Sequence, residues 1–366
     1  MRATLIMLMV ATVTRAYHRS FPIGDQSKNI YFHRYARGIL DPLPKNSLLL
    51  INYDQQWTSV RYAQECEGFR KDVTSINMSM MSYPWWKTKH SLYANVKFPG
   101  THYTMENTRP WLGGGFTFTE FLDVNYPLIP GGIFVGGHLN YPETTYLTNY
   151  AEVPYGMTRK FVKKSDQRMN YAEAFRLESL HPWKKIAKHY HASGLPEEDK
   201  YPEETWEFPV NREFFSHLVI KANHLLDLAV SPPSNAPPGI PVLKSLVDAA
   251  AWMEIVSSLD TRSNGPSLKK NLGIACMHMV RNKERGNEFL PPIDDVFAEV
   301  GWNITQVLEN KWWFENKGRD WKSWASSQWS ETWAESLSMS GAENDPSYLQ
   351  VKRIYESVMN KTQVLK

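Results

Sequence analysis

The chain has 366 residues, with 41 basic and 38 acidic side chains and a formal net charge of +3. At 42% hydrophobic content it can bury a sizeable core, which excludes a disordered chain, and its scattered, nearly balanced charge gives no electrostatic case for a nucleic-acid partner. An aromatic content of 13%, including 14 Trp, suits a large aromatic core, an interface or a sugar-stacking surface, and composition does not choose among them.

In chain order, Arg2 precedes an apolar run from Ala3 to Val13, and Thr14-Arg15-Ala16 follows with small residues. That pattern predicts a signal peptide over residues 1–16, cleaved after Ala16, or the remnant of a membrane helix. A bilayer core of roughly 30 Å needs about 20 apolar residues in a helix, so the run is too short for a whole span. Either reading sends the rest of the chain into a lumen or outside the cell.

Residues 24–165 are predicted to form an α/β domain. Ile30 to Leu40 has an amphipathic helical pattern, and Pro42 and Pro44 set off an unbroken apolar strand over Ser47 to Tyr53. Trp57 to Cys66 is predicted helical and Asp72 to Met78 extended, which gives a βαβ unit. Shorter strands are expected near Thr117 to Leu122 and at Gly132 to Val135, among loops rich in Gly, Pro and aromatic residues.

Residues 170–340 change to helical periodicity. Phe214, Phe215, Leu218, Val219, Ala222, Leu225, Leu226 and Ala229 share one helical face, and Pro232-Pro233 with Pro237-Pro238 end it. Leu243 to Leu259 and Leu268 to Met279 repeat the pattern, and Ile293 to Leu308 forms a further stripe after Pro291-Pro292. Residues 341–366 are expected as a C-terminal helix or tail. The fold class is therefore α/β followed by all-α: a small mixed, mostly parallel sheet with flanking helices, then antiparallel helical hairpins resembling a tetratricopeptide-like solenoid.

Ligands of parallel sheets bind beyond the carboxyl ends of strands and beside helix N-termini. Asp54, Thr58, Arg61 and Glu67 are accordingly the candidate ligand or docking residues, although capping of exposed backbone donors is the commoner role for Asp54 and Thr58. The loop from Asn52 to Ser59 holds no glycine, so a phosphate-cradling turn is excluded there, and no Gly-x-Ser-x-Gly elbow occurs. His189 with His191 and His217 with His224 lack zinc-site spacing, which leaves them as surface or capping residues and gives no metal site. Cys66 and Cys276 either pair in an oxidising compartment or remain two buried thiols. Asn77, Asn303 and Asn360 head N-glycosylation sequons. Trp302, Trp312, Trp313, Trp321, Trp324, Trp329 and Trp333 are expected mainly as core between the last helices.

The stretch from Asp54 through Trp86 resembles the transmembrane protein 260 family, through Ser59-Val60-Arg61-Tyr62, Cys66-Glu67-Gly68-Phe69-Arg70-Lys71-Asp72-Val73 and Met80-Met81-Ser82-Tyr83-Pro84-Trp85. Asp25-Gln26-Ser27, Phe98-Pro99-Gly100, Phe121-Leu122-Asp123-Val124-Asn125 and Asn271-Leu272-Gly273-Ile274-Ala275-Cys276 extend the resemblance to most of residues 24 to 283. The Trp-rich end matches poorly. Gly24 stands where the family pattern has a cysteine, and Asn52-Tyr53-Asp54 where it has Arg-Gly-Asp.

The resemblance implies the lumenal C-terminal portion of a protein O-mannosyltransferase of the endoplasmic reticulum. That family moves mannose from dolichyl phosphate mannose to Ser or Thr of immunoglobulin-like, plexin-type domains. Its acidic catalytic loop has no counterpart here, so the implied role is acceptor binding or scaffolding, with no cofactor in this chain. The implied partners are folded protein acceptors and a membrane catalytic domain, and the implied location is the lumen or membrane of the endoplasmic reticulum. The competing expectation is a secreted, non-enzymatic carbohydrate- or protein-binding module, and a third is a soluble enzyme using Asp54 and Arg61.

Overall fold

In a computed structural model the described residues are 2–24, 29–104, 113–137, 145–166, 171–190, 195–196, 200–232, 242–260, 265–285, 299–301 and 321–364. Helix α1 (Arg2–Gly24) carries the apolar run, passes Ala16 without a break and leaves Leu5 to Val10 exposed. No helix of the described residues is long and apolar enough to cross a membrane.

Helix α2 (Tyr31–Leu40) buries Tyr35, Ala36, Ile39 and Leu40, the apolar face its spacing predicted. Strand β1 (Leu48–Ile51) is buried at all four positions, as expected of a strand covered on both faces. Helix α3 (Asp54–Glu65) then leads to strand β2 (Thr74–Asn77), which pairs with β1 in parallel. A single turn, α4 (Met78–Met81), and a 3-10 segment (Pro84–Leu92) follow. Strands β3 (His102–Tyr103) and β4 (Gly115–Phe116) form a separate two-residue parallel ladder.

Of residues 117–122, expected as strand, 118–122 belong to helix α5 (Phe118–Asn125) and Thr117 caps it. Thr117 and Glu120 form a reciprocal capping box: Glu120 Oε2 accepts the Thr117 N–H at 2.8 Å, and Thr117 Oγ1 accepts the Glu120 N–H at 3.2 Å. This signature outweighs the β-branched, aromatic composition. Strand β5 (Ile133–Gly136) pairs with β1 in parallel on the side opposite β2. A hairpin not expected from the sequence, β6 (Tyr150–Tyr155) and β7 (Thr158–Lys163), adds antiparallel through β7 to β5. Its two-residue turn places Gly156 at φ 59°, a conformation that favours glycine at the first turn position. The sheet order is β2-β1-β5-β7-β6.

Period-two alternation sends Leu48, Leu50, Ile133 and Val135 into an aromatic core with Phe118, Phe121 and Phe161, and sends Leu49, Ile51 and Phe134 to the opposite face. That second face merges with helix α6 (Ala172–His189), α7 (Glu207–Val230), α8 (Leu243–Leu259) and α9 (Pro266–Arg285) in one continuous apolar core. Helices α7, α8 and α9 pack each on the one before. Helix α10 (Trp321–Ser338) packs on α9, and α11 (Tyr348–Val364) follows it. Trp333 is buried with its indole N–H donating to the Lys270 carbonyl at 3.0 Å, and Trp329 meets it edge-on, in keeping with the core reading of the stripe. Trp302, Trp312, Trp313, Asn303 and the stripe over residues 293–308, apart from 299–301, lie outside the described residues.

Candidate functional site at the carboxyl ends of the parallel strands

Because β1 is followed by β2 on one side and flanked by β5 on the other, chain order reverses between β1 and β5. This is the crevice where open parallel sheets hold ligands. Here it is filled from within. Gln56, 1% exposed, leans from the first turn of α3 across Gly136, where an added Cβ would run into its amide oxygen. Its Nε2 donates to Tyr35 Oη at 3.4 Å, whereas its Oε1 is buried with no hydrogen-bond donor among the described residues. Beside it, Asn52 Oδ1 accepts from Ser79 Oγ at 3.1 Å, and Asn77 Oδ1 accepts the Met80 N–H at 3.0 Å. The side chains that pack into the crest are thus amides, with the Tyr35 and Ser79 hydroxyls beside them.

At its rim, Tyr53 Oη donates to Gln55 Oε1 at 3.2 Å, and Gln55 Nε2 donates to the Trp206 carbonyl at 2.6 Å, tying the start of α3 to the start of α7. Burial raises the Tyr53 phenol above its ordinary range, and much more strongly that of Tyr35.

Of the four residues singled out in the sequence, Asp54 and Thr58 touch through a backbone hydrogen bond, while Arg61 and Glu67 find partners elsewhere. Helix α3 begins three residues before Trp57, so Asp54 is its first residue and the N-cap is Tyr53, with no side-chain cap bond. The capping role expected of Asp54 and Thr58 is therefore not the one they play. Thr58 Oγ1 donates back to the Asp54 carbonyl at 2.8 Å, and Asp54 sits in the first turn, the positive end of the helix dipole. Arg61 pairs with Glu65 at 2.8 Å on the exposed face and sits 5.4 Å over the Trp57 ring. Glu67 lies past the other end of a helix about 18 Å long, where its oxygens meet His33 Nδ1 at 2.9 Å and Arg37 at 3.1 Å.

Cys66 is an exposed free thiol and Cys276 a buried one, so the pair is neither joined nor uniformly buried; burial pushes the Cys276 thiol up. Asn77 is buried in the role just described, so a glycan there would displace the crest, whereas Asn360 is exposed on α11. His189 Nε2 meets Asp41 Oδ2 at 2.9 Å. Burial alone would raise the Asp41 carboxyl, but His189 and Lys185 hold it below the usual range. His217 and His224 are not the surface residues expected: His217 is buried near Glu213, and His224 packs edge-on against Phe175, where burial lowers it to about 4. His191 lies outside the described residues, among which no cluster of three potential metal ligands occurs.

A second polar centre was not anticipated from the sequence. Arg176, buried on α6, holds Glu173 at 2.8 Å, Glu299 at 2.9 Å and Asp248 of α8 at 3.5 Å, while Lys244 pairs with Glu299 at 3.0 Å. Lys221 of α7 is 1% exposed, with its ammonium 4.1 Å from the Trp252 ring centroid and 5.8 Å from that of Trp183, and no hydrogen-bond acceptor among the described residues. Burial lowers Lys221 and raises Asp248. The signal was present: Lys221 lies three residues after Leu218 and four before Leu225, inside the apolar stripe.

The family model of TMEM260-associated domain 2 matches residues 32–107, which carry β1, α3, β2 and the amide crest. Beyond that segment, the chain is similar to TMEM260 proteins over part of its length. It is 28% identical over 224 residues to the Protein O-mannosyl-transferase tmem260 of Dictyostelium discoideum, covering 61% of this chain and 26% of that protein. It is 26% identical over 200 residues to the Protein O-mannosyl-transferase TMEM260 of Mus musculus, covering 54% of this chain and 28% of that protein. The chain thus spans about a quarter of the length of these TMEM260 relatives. No solved structure matches it.

Proposed function

We propose that the chain is the acceptor-engaging, non-catalytic part of a protein O-mannosyltransferase of the endoplasmic reticulum. The reaction it serves takes mannose from dolichyl phosphate mannose to Ser or Thr of folded immunoglobulin-like, plexin-type domains, with the chain lying in the lumen against a membrane catalytic domain. Two relatives named protein O-mannosyl-transferases support the reaction class. The observation that carries the non-catalytic role is the occupied crevice. Gln56 and Gly136 pack where a parallel sheet would hold its ligand, and the groups that fill it are amides and the Tyr35 phenol, which burial raises, so none of them exchanges a proton near neutral pH.

The purified chain, given dolichyl phosphate mannose and a folded acceptor domain, is expected to bind the acceptor in a titration and to leave it unmannosylated by intact mass. Mannosylated product from this chain alone, or an acceptor that does not bind, overturns the reading. The secreted carbohydrate-binding reading keeps one observation in its favour, since Trp206 is 68% exposed at the rim of the crest and offers a face for a sugar ring. Titration with free mannosides in place of the folded acceptor separates the two.

A further inference from the structure

Beyond β2 the chain turns outward into the 3-10 segment Pro84–Leu92, which leaves large apolar groups in solvent: Tyr83 and Trp85 are each 46% exposed and Leu92 is 70% exposed. The two aromatic rings lie nearly parallel, 14° apart with centroids at 5.9 Å. Their support is firm. Trp86 is buried between them and the core, stacked on Tyr93 at 5.4 Å and edge-on to Phe98 at 6.0 Å, while the ring of His90 stacks on Phe98 at 4.1 Å.

The charge along this segment has one sign. Residues 73–105 contain no Asp or Glu but include Lys87, Lys89 and Lys97. Lys87 and Lys89 are exposed, and neither is in an ion pair among the described residues.

We infer that this edge is a membrane-contact surface, with Tyr83, Trp85 and Leu92 entering the interfacial layer of a bilayer and Lys87 and Lys89 meeting anionic headgroups. Amphipathic Trp and Tyr rings favour the headgroup level, an aliphatic tip gains by leaving water, and lysines keep their ammonium groups at the polar boundary. An acidic protein partner would satisfy the lysines but leaves no reason for an aliphatic side chain as exposed as Leu92. The surface stands apart from the amide crest, so it does not depend on the function proposed above.

The test uses the full chain, with Cys66→Ser removing the exposed thiol and Leu92→Cys carrying a polarity-sensitive fluorophore. Vesicles of phosphatidylcholine with one third phosphatidylserine are expected to shift the probe to the blue and to sediment the protein, with weaker sedimentation on phosphatidylcholine alone. Lys87→Ala with Lys89→Ala is expected to weaken binding to the anionic vesicles roughly 30-fold, since each lysine near such a surface is worth about a factor of five. Tyr83→Ser with Trp85→Ser is expected to weaken binding at high salt as well.

A probe that keeps its aqueous spectrum while the protein sediments would assign the binding to α1 and overturn the inference. Full competition by soluble phosphate at millimolar concentration would mark a free-anion site and overturn it too. So would variants that bind as the parent does, or a probe that responds to a folded acidic protein domain and not to vesicles. The substituted side chains are exposed, so unchanged melting of each variant is expected and keeps the comparison valid.

Discussion

Lys221 is the residue whose environment departs furthest from its chemistry. An ammonium in contact with two indole rings and no hydrogen-bond acceptor among the described residues recovers only part of its lost hydration. Its proton affinity is therefore lower in the folded chain than in the unfolded one, where lysine titrates near 10.4. The unfolded state binds the extra proton below that value, so stability rises with pH from the neutral range toward about 10, with a slope of up to about 1.4 kcal/mol per pH unit. Lys221→Met keeps the length of the side chain and removes the charge. The difference between parent and variant in urea unfolding is expected to shrink as pH rises through this window, and a difference independent of pH would show that Lys221 keeps the ordinary proton affinity of a lysine in the folded chain. Gln56 is the counterpart at the crest: its buried Oε1 lacks a donor, and the loss is tolerated because the amide's shape fills the crevice above Gly136.

Two close approaches set the positions of whole elements. The first turn of α3 can lie over the end of β5 only because residue 136 has no side chain. Gly136→Ala is expected to cost about 1–3 kcal/mol by forcing Gln56 out of its place, and Gln56→Ala in the same chain should recover most of that loss. Thermal melts of the two single variants and the double variant measure the coupling, and strictly additive losses would show that Gln56 does not occupy the space. In the helical part Gly273 does the same for α9, since an added Cβ would enter the Trp333 ring of α10. That explains why Gly273 sits inside a helix despite its poor propensity there. The α5 capping box and the β6–β7 hairpin are local devices too, written in Thr117-x-x-Glu120 and in Gly156. Composition alone hides both, because cap and turn chemistry resides in one or two positions and not in the average character of a segment.

At the scale of the molecule, one apolar core runs from Leu49 and Phe134 of the sheet through Trp183 and Phe214 to Trp252, Leu272 and Cys276. Arg176 adds a polar tie between α6, α8 and Glu299. A core shared in this way predicts that the sheet and helices α6 to α9 unfold together. Scanning calorimetry is expected to give one transition over these elements with equal calorimetric and van't Hoff enthalpies, and two separated transitions would show that residues 24–165 and 170–340 are independent domains.

The βαβ unit was legible from the residues alone, because an unbroken apolar run and a 3.6-residue period are local properties that burial then rewards. The helical second half was legible for the same reason, in the stripes of α7, α8 and α9. The sequence also carried the likeness to TMEM260 proteins, within residues 32–107. The three-dimensional packing was needed to show that Glu67 lies past the far end of the helix that carries Asp54 and Arg61, that Gln56 closes the switch point, and that Arg176 reaches Asp248 close to the buried Lys221. Such meetings join residues far apart in the chain, and no spacing within one segment records what a side chain faces across the core.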